Sequence, residues 1–551
     1  MGGDRGNLRR RLLGAAALAG VLGGLAGPAL AQAAAPAAAS PTDIEALKAQ
    51  VRDLTALVQA MAQRDQGEIQ TLTAQVKALQ AQVAAEAPAP VAQTRAGSAP
   101  PPSQVAEAGT PPAPVRQVAQ DTVDPTRALP RVVQNSSNRF LLQSGDGEYS
   151  IGFTGNIQFD SGAYLGFHPA SPLSGPQALS DGINARRARL GVAGTAFGSW
   201  GYALVYDGGN SSDQTPKGIE TAQIVYAGLR GAAFEIGYSN TFFTLDQATS
   251  SNDTLFLERA SPSNLATNLN AGDARANAGV RIFGDRYWAG AYLTGPASGD
   301  SHTLTRERLG AFQRVAVQAL KGPDYSLHLG LGIDELLQAP NAGNGTPGTV
   351  SLSDPPELRI DPTAFLNTGT IGTAANPVTR AYVIDLETAA SYRNLFWQGE
   401  YYHYDIQRRG LADARFDGAY GQASWTLTGE THRYNPQAAS YFRIVPSSPF
   451  SLRDGGWGAW ELAARFSYVD LTDNFQPGVA LSADPAAVDG GRQRAYSLGL
   501  NWYPNDLVRL LLDYSHVDYD KANGVAAKGL LLGVPVGAKI DTIALRVQVA
   551  Y

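Results

Sequence analysis

The chain has 551 residues with 43 basic and 49 acidic side chains, 60 Gly, 33 Pro and 23 Tyr, but only two Met and no Cys. The missing Cys exclude disulfides, thiolate metal sites and a cysteine nucleophile. A net charge of −6 offers no basic face for nucleic acid. With 17% charged residues against 44% hydrophobic, the chain is also unlike a large soluble enzyme built on several conventional cores.

Residues 1–31 read as a signal peptide. Arg5, Arg9, Arg10 and Arg11 precede an apolar run from Leu12 to Gly27, and Ala29-Leu30-Ala31 fits the small-x-small cleavage rule. That run is shorter than the ~20 residues a spanning helix needs. A protein exported without a spanning helix can enter a membrane only as a closed barrel, the other way to satisfy backbone polar groups in hydrocarbon.

Residues 42–85 carry a coiled-coil seam. Ile44, Leu47, Val51, Leu54, Val58 and Met61 keep a 3-4 spacing, and Ile69, Leu72, Val76, Leu79 and Val83 resume it after a stutter. Thr42 and Glu45 make a capping box, and Pro88 closes the end. The helix would be ~65 Å long, with nothing to bury its stripe against but copies of itself. Residues 86–135 are rich in Pro, Ala and Gln, too poor in apolar surface to fold, and read as a linker.

From residue 136 to 551 the pattern has period 2. Tyr496, Leu498, Leu500 and Trp502 alternate with Ser497, Gly499 and Asn501, and Leu545, Val547, Val549 and Tyr551 with Ala544, Arg546, Gln548 and Ala550. Sixteen such strands are predicted, starting near 150, 183, 201, 219, 233, 275, 287, 307, 325, 380, 395, 416, 458, 494, 507 and 540. Long links (168–182, 209–218, 240–274, 296–306, 335–379) alternate with tight turns, and Trp457, Trp460, Trp502, Tyr503 and Tyr514 gather at strand ends. An even strand count, loops of unequal length on the two rims and aromatic girdles are the marks of an outer-membrane barrel. The link 430–457 breaks the rule, being long where a tight turn is due. The expected fold is therefore all-β: a 16-stranded antiparallel transmembrane β-barrel preceded by an N-terminal α-helical coiled coil. Such a closure leaves an aqueous channel.

In a channel the chemistry lies in the lumen-facing side chains. Parity turns Arg187 and Arg189 inward, because Leu190 and Val192 face lipid, and leaves Arg186 outward. The same argument sends Arg281, Arg314, Arg465, Arg509 and Arg546 inward, with Asp207, Glu461 and Asp513 as inward acids. Guanidinium groups there would fork-bind carboxylate or phosphate oxygens. The segment 240–274 is the natural constriction loop, with charges at Asp246, Asp253, Glu258, Arg259 and Asp273. An enzyme is not expected. None of the six His has metal-ligand spacing, no Gly-x-Ser-x-Gly elbow occurs, and Ser326 with His328 reads as plain lining. No cofactor or metal is implied.

Five segments in this order carry a family resemblance: Arg186-Arg187-Ala188-Arg189-Leu190 with Gly194-Thr195-Ala196 and Trp200; Ala248-Thr249-Ser250-Ser251 with Leu257-Glu258-Arg259; Thr426-Leu427-Thr428-Gly429-Glu430; Gly458-Ala459-Trp460-Glu461-Leu462; and Leu498-Gly499-Leu500-Asn501-Trp502-Tyr503. With them the chain resembles the phosphate-selective porin O and P family of bacterial outer membranes. The resemblance implies a sixteen-stranded homotrimer in outer-membrane lipid, with a long segment before the Gly-Ala-Trp-Glu-Leu strand. It also implies an Arg-rich lumen in which Arg186 and Arg187 match the paired arginines and Glu220 matches a lumen acid. Where the family's phosphate-selective members place two Lys, this sequence has Gln247 and Gly201. The expected function is an outer-membrane porin for small hydrophilic solutes, with anions or phosphate preferred. The coiled coil would lie in the periplasm, as a tether toward peptidoglycan. The rival expectation is an envelope-anchoring protein whose barrel only holds the coiled coil.

Overall fold

The computed structural model describes residues 129–134, 139–166, 179–209, 218–298, 304–342, 348–476, 481, 483–521 and 538–551. The predicted signal peptide, the coiled coil and most of the 86–135 linker lie outside these residues.

Sixteen antiparallel strands close on themselves. They are β1 (Ser150–Leu165), β2 (Gly182–Ala196), β3 (Trp200–Asp207), β4 (Gly218–Tyr226), β5 (Ala232–Asn240), β6 (Ala274–Phe283), β7 (Tyr287–Ala297) and β8 (Leu309–Lys321). There follow β9 (Tyr325–Gln338), β10 (Val378–Tyr392), β11 (Leu395–Arg408), β12 (Ala414–Thr426), β13 (Ala459–Asp473), β14 (Val488–Tyr503), β15 (Val508–Asp520) and β16 (Ala538–Ala550). Each strand pairs with its sequence neighbours, and β16 returns to β1 in the register Asp541↔Leu165 to Ala550↔Asn156. Gly155 and Tyr551 exchange N–H···O bonds of 2.9 and 2.8 Å to finish that seam. Beyond it, Phe140–Gln143 pairs with the start of β1 and is itself paired with Arg131–Gln134. A ribbon thus stands where the tail of the linker was expected.

The alternation does the sorting. On β14, Tyr496 and Leu498 lie open on the outside while Gln493, Ser497 and Asn501 are buried inside. On β16, Val547 and Val549 face out while Arg546 and Gln548 face in. Aromatic pairs mark the rims: Trp460 and Trp502 stack at 5.5 Å, and Trp200 sits 4.9 Å from Tyr226.

Predicted and observed strand starts agree within two residues, except that β14 begins at Val488 rather than 494. The added residues include Gly490-Gly491, which continue the strand beside a register shift in β13 between Asp470 and Thr472, with Gly491 at φ +90°. A second departure concerns Arg186. The β1–β2 ladder slips between Gln158 and Phe159, so that Gln158 faces Arg187 while Phe159 faces Ala185. This bulge leaves Arg186 without a register partner and turns both Arg186 and Arg187 inward. Simple parity, which put Arg186 outside, fails there.

Three segments fold into the barrel. The loop 241–273, between β5 and β6, contains helices α1 (Leu245–Ala248) and α2 (Ser261–Asn268) and buries Phe243, Leu245, Leu257 and Leu265. The loop 339–377, between β9 and β10, packs Leu358 and Ile360 near Tyr164 and Phe365 against Tyr519. The link 427–458, on the rim of tight turns, also turns inward, stacking His432 on Phe396 at 4.5 Å and setting Tyr441 5.0 Å from the same ring.

Close strand contact can be tested at two glycines. A Cβ on Gly194 of β2 would lie 1.9 Å from the Ser150 carbonyl oxygen, whereas one on Gly421 of β12 meets nothing within 4 Å. Gly194→Val is expected to destabilise the barrel by ~1–3 kcal/mol through overpacking, and Gly421→Val to leave it unchanged. Gel-mobility melting of the folded form checks both.

Candidate functional site in the barrel lumen

The lumen wall is rich in buried arginine, and most of it is neutralised. Arg189 of β2 pairs with Asp207 of β3 at 2.8 Å and with Glu220 of β4 at 2.6 Å. Arg281 of β6 pairs with Glu235 of β5 at 3.0 Å, and Arg314 of β8 with Glu387 of β10 at 2.7 Å. The inward link 427–458 adds main-chain acceptors: Gln437 O takes bonds from Arg281 and from the Trp288 indole, and Ala438 O and Ala439 O take bonds from Arg314.

The loop 241–273 is held by the opposite wall. Glu258 sits among three guanidiniums, at 2.7 Å from Arg186, 3.0 Å from Arg546 and 3.2 Å from Arg359 of the 339–377 loop. Burial works to raise the Glu258 carboxyl, but Arg186, Arg546 and Arg359 together hold it well below the usual carboxylate range. Arg546 also forks onto Asp160, with two bonds of 2.6 Å. Arg465 of β13 donates to Glu258 O at 2.8 Å and pairs with Glu357 at 2.5 Å, its guanidinium 4.4 Å from the Phe256 ring. Leu257 N donates to Asp513 at 2.7 Å and Leu245 N to Glu400 at 2.8 Å. Within the loop, Arg259 pairs with Asp246 at 3.1 Å, and Gln247 lies buried with its carbonyl 3.4 Å from the Thr267 hydroxyl. Asp354 of the neighbouring loop is pushed up to about 7 by burial, against the pull of Arg359.

Two lumen guanidiniums differ from the rest. Arg187, Gln158, Gln548 and Arg509 are register partners in one row across β2, β1, β16 and β15. Arg187 donates to Gln158 at 2.6 Å, Gln158 to Gln548 at 2.8 Å, and Gln548 to Asn252 O at 3.1 Å. Arg509 donates to the same Asn252 oxygen at 3.2 Å and lies 4.9 Å from the Tyr503 ring. Arg187 Nε and Arg509 Nε and Nη2 are buried without a hydrogen-bond partner among the described residues. Beside this row lies a polar recess of about 80 Å³ lined by Arg189, Glu220, Gln247, Asn252, Asn435 and Ser440, among others.

Arg187, Arg281, Arg314, Arg465, Arg509 and Arg546 are buried on the inner wall, and Arg189 pairs there with Asp207 and Glu220. Their partners carry a weaker signal in the sequence. Gln158, Asp160 and Gln548 are not singled out in the sequence, although strand parity would point them inward. Glu357, Arg359, Asp354 and Arg443, which pairs with Asp253 at 3.0 Å, come from loops that carry no periodic signal. Ser326 bonds Ser391 and Tyr441, whereas His328 bonds Glu387 and Tyr434, so the two serve separate partners.

A closed sixteen-stranded wall with an apolar outside, a charged inside and inward-folded loops is the architecture of an outer-membrane porin and points to a channel. The chain belongs to the family "Phosphate-selective porin O and P", whose model matches residues 155–551. It is 24% identical over 408 residues to Porin O of Pseudomonas aeruginosa, covering 71% of this chain and 88% of that one. It is 28% identical over 501 residues to an uncharacterized protein of Caulobacter vibrioides, covering 88% of this chain and 86% of that one. Among solved structures it is similar to an anion-selective porin from Comamonas acidovorans, with a TM-score of 0.44 and 14% identity, covering 73% of this chain and 100% of that one.

Glu258 gives the sharpest test of how the inward loop is held. Glu258→Gln leaves Arg186, Arg359 and Arg546 with an uncharged partner, and loss of one member of a buried ion-pair cluster costs ~3–5 kcal/mol. The expected outcome is a noisier and larger single-channel current in planar bilayers. A current indistinguishable from the parent's would show that the loop is held by other means.

Proposed function

We propose that this porin passes small hydrophilic solutes by diffusion and prefers anions, phosphate among them. The observation that carries this reading is the row Arg187–Gln158–Gln548–Arg509 on the inner wall, whose two guanidiniums have no carboxylate partner among the described residues and keep buried N–H groups without a partner. A guanidinium offers a planar fork that matches phosphate and carboxylate oxygens and, when buried, remains charged. The family's name points the same way. Against a strong preference stand Gln247 and Gly201, since neither supplies the ammonium charge of the family's lysines, and the neutralisation of the other lumen arginines.

A trimer is part of the same proposal. Strands β3, β4 and β5 have only 8, 9 and 9 residues, against 15 and 16 in β13 and β14. At ~3.4 Å per residue and a tilt of ~40° they rise ~20–23 Å, short of the ~25 Å apolar band. Leu204, Tyr206, Ile224, Phe234 and Ile236 are exposed on this low wall. Copies of the same chain packed on it would shield it from lipid and water alike. A detergent-extracted particle with the mass of one chain would remove the trimer reading.

Selectivity is read from the zero-current potential across a KCl gradient. The parent is expected to show the sign of an anion channel, and Arg187→Gln with Arg509→Gln to move the potential toward zero or beyond. Millimolar phosphate should lower the chloride current of the parent and not that of the double variant. Chloride current unaffected by phosphate would discard the phosphate preference, and a cation-selective parent would discard the anion preference with it.

A further inference from the structure

On the wall away from the arginine row, β10 and β11 place four oxygen-bearing side chains in one rectangle. Asp385 lies opposite Tyr402 and Glu387 opposite Glu400 in the ladder. All four face inward and are buried, Asp385 and Tyr402 completely. One oxygen from each of the three carboxylates lies within 4.8 Å of the others. Their surroundings are unequal. Glu387 is fully engaged, forked by Arg314 through two bonds of 2.7 Å and bonded by His328 at 3.0 Å. Glu400 accepts the backbone N–H groups of Leu245 and Asp246 and the Tyr420 hydroxyl. The Asp385 carboxylate meets no hydrogen-bond donor, only the Glu400 carboxyl lying close enough to share a proton with it, and the Tyr402 hydroxyl makes no hydrogen bond.

Among the described residues no Lys or Arg pairs with Asp385 or Glu400; Arg314 pairs with Glu387, and Arg259 with the adjacent Asp246. Two carboxylates thus face each other in a dry site with no cation of their own. Burying a charge without a partner is far more costly than leaving it in water. The side chain that would relieve Asp385 most simply, Tyr402 directly across the ladder, makes no bond to it. A proton shared between Asp385 and Glu400 would serve one Asp385 oxygen and leave the other and the tyrosine unserved. A divalent cation between Asp385 and Glu400 would take their oxygens directly, with the Arg314-bound Glu387 and the unpartnered Tyr402 hydroxyl at its margin, and would satisfy both carboxylates at once.

We infer that Asp385, Glu387, Glu400 and Tyr402 form a site for a hard divalent cation, calcium fitting best. The donors are all oxygen, which excludes the softer transition metals as the natural occupants. They are set by two rigid strands rather than an octahedral cage, and calcium accepts irregular geometry and two-oxygen carboxylates where magnesium does not. The position adds a consequence. Glu400 also holds the backbone of Leu245 and Asp246 in the inward loop, so the ion would tie that loop to the wall across the lumen from the Glu258 cluster. The site is independent of which solute the channel prefers.

The test uses the full chain refolded in detergent free of lipopolysaccharide, whose phosphates would otherwise bind the ion. Terbium replaces calcium as the probe, because Tyr402 and its neighbours Tyr404 and Tyr420 can sensitise its emission. The parent should show saturable terbium emission that calcium displaces. Asp385→Asn should lose at least tenfold in terbium affinity, and Tyr402→Phe should bind more weakly than the parent while still responding to calcium. Calcium in ~100-fold excess over its Kd should raise the parent's melting temperature by ~2–5 °C relative to EDTA and leave Asp385→Asn unmoved. Asp385→Asn removes a buried charge, so it is expected to fold and to be at least as stable as the parent in EDTA, and gel mobility confirms this. Equal terbium emission from parent and Asp385→Asn, or a parent melting temperature identical in calcium and EDTA, would overturn the assignment. Because neither readout involves conductance, either result stands apart from the fate of the anion proposal.

Discussion

Hydrocarbon offers no partner to a backbone N–H or C=O, so a sheet that crosses a membrane cannot keep an edge. In this chain the pairing of β16 with β1 meets that constraint, and the other features follow from it. Closure fixes an even antiparallel count, and an antiparallel wall with lipid on one side and water on the other fixes the two-residue alternation. The stretch of β1 that extends past the Gly155–Tyr551 pair would still be an open edge. Phe140–Gln143 covers it, and the Phe140 N–H reaches the Tyr551 hydroxyl at 3.0 Å. Even the ladder's loose end is paired.

A ring of sixteen strands is too wide for its own side chains to fill. Segments from both rims enter it, and the polar wall is what they bind. Long-loop-side segments bring the acids Glu258 and Glu357, while the tight-turn-side link brings the carbonyls of Gln437, Ala438 and Ala439. Such buried pairs add little net stability over an apolar replacement, because desolvation offsets attraction. What they add is position, since a guanidinium without its carboxylate is so costly that the segment has few other places to rest. The apolar contacts around Leu358, Ile360 and Phe365 are less selective and supply bulk.

This division of labour explains what could be read from the sequence. Strand positions come from period-2 alternation, a local property, and were legible almost to the residue. Failures occurred where local geometry departs from the ideal pleat: at Gly490-Gly491, where the strand continues beside a register shift, and at Arg186, where a bulge reverses parity for a single residue. Facing direction was legible for the lumen arginines, because each has lipid-facing neighbours one position away. Their partners were not. Glu258 to Arg546 and Glu357 to Arg465 span hundreds of positions, or more than a hundred, and join an aperiodic loop to a periodic strand. Nothing in either segment alone encodes the match. The long link 427–458 could be seen as anomalous, but its inward course depends on acceptors offered to Arg281 and Arg314, again a tertiary fact.

The number of arginines facing the lumen is therefore a poor measure of its field. Arg189 is held by two carboxylates, Arg546 by two, and Arg314 by one carboxylate and two carbonyls. To a passing ion these are nearly neutral dipoles. A guanidinium bound only by amides and a main-chain oxygen has no carboxylate to cancel it, because amide dipoles solvate a cation without carrying an opposite charge. That condition is met at Arg187 and Arg509, and their separation across two glutamines spreads the charge over four neighbouring strands. Glutamine is suited to the role, since each side-chain amide accepts from one neighbour and donates to the next. A carboxylate at either Gln158 or Gln548 would cancel one of the row's two charges, and an apolar residue would break the chain of amides.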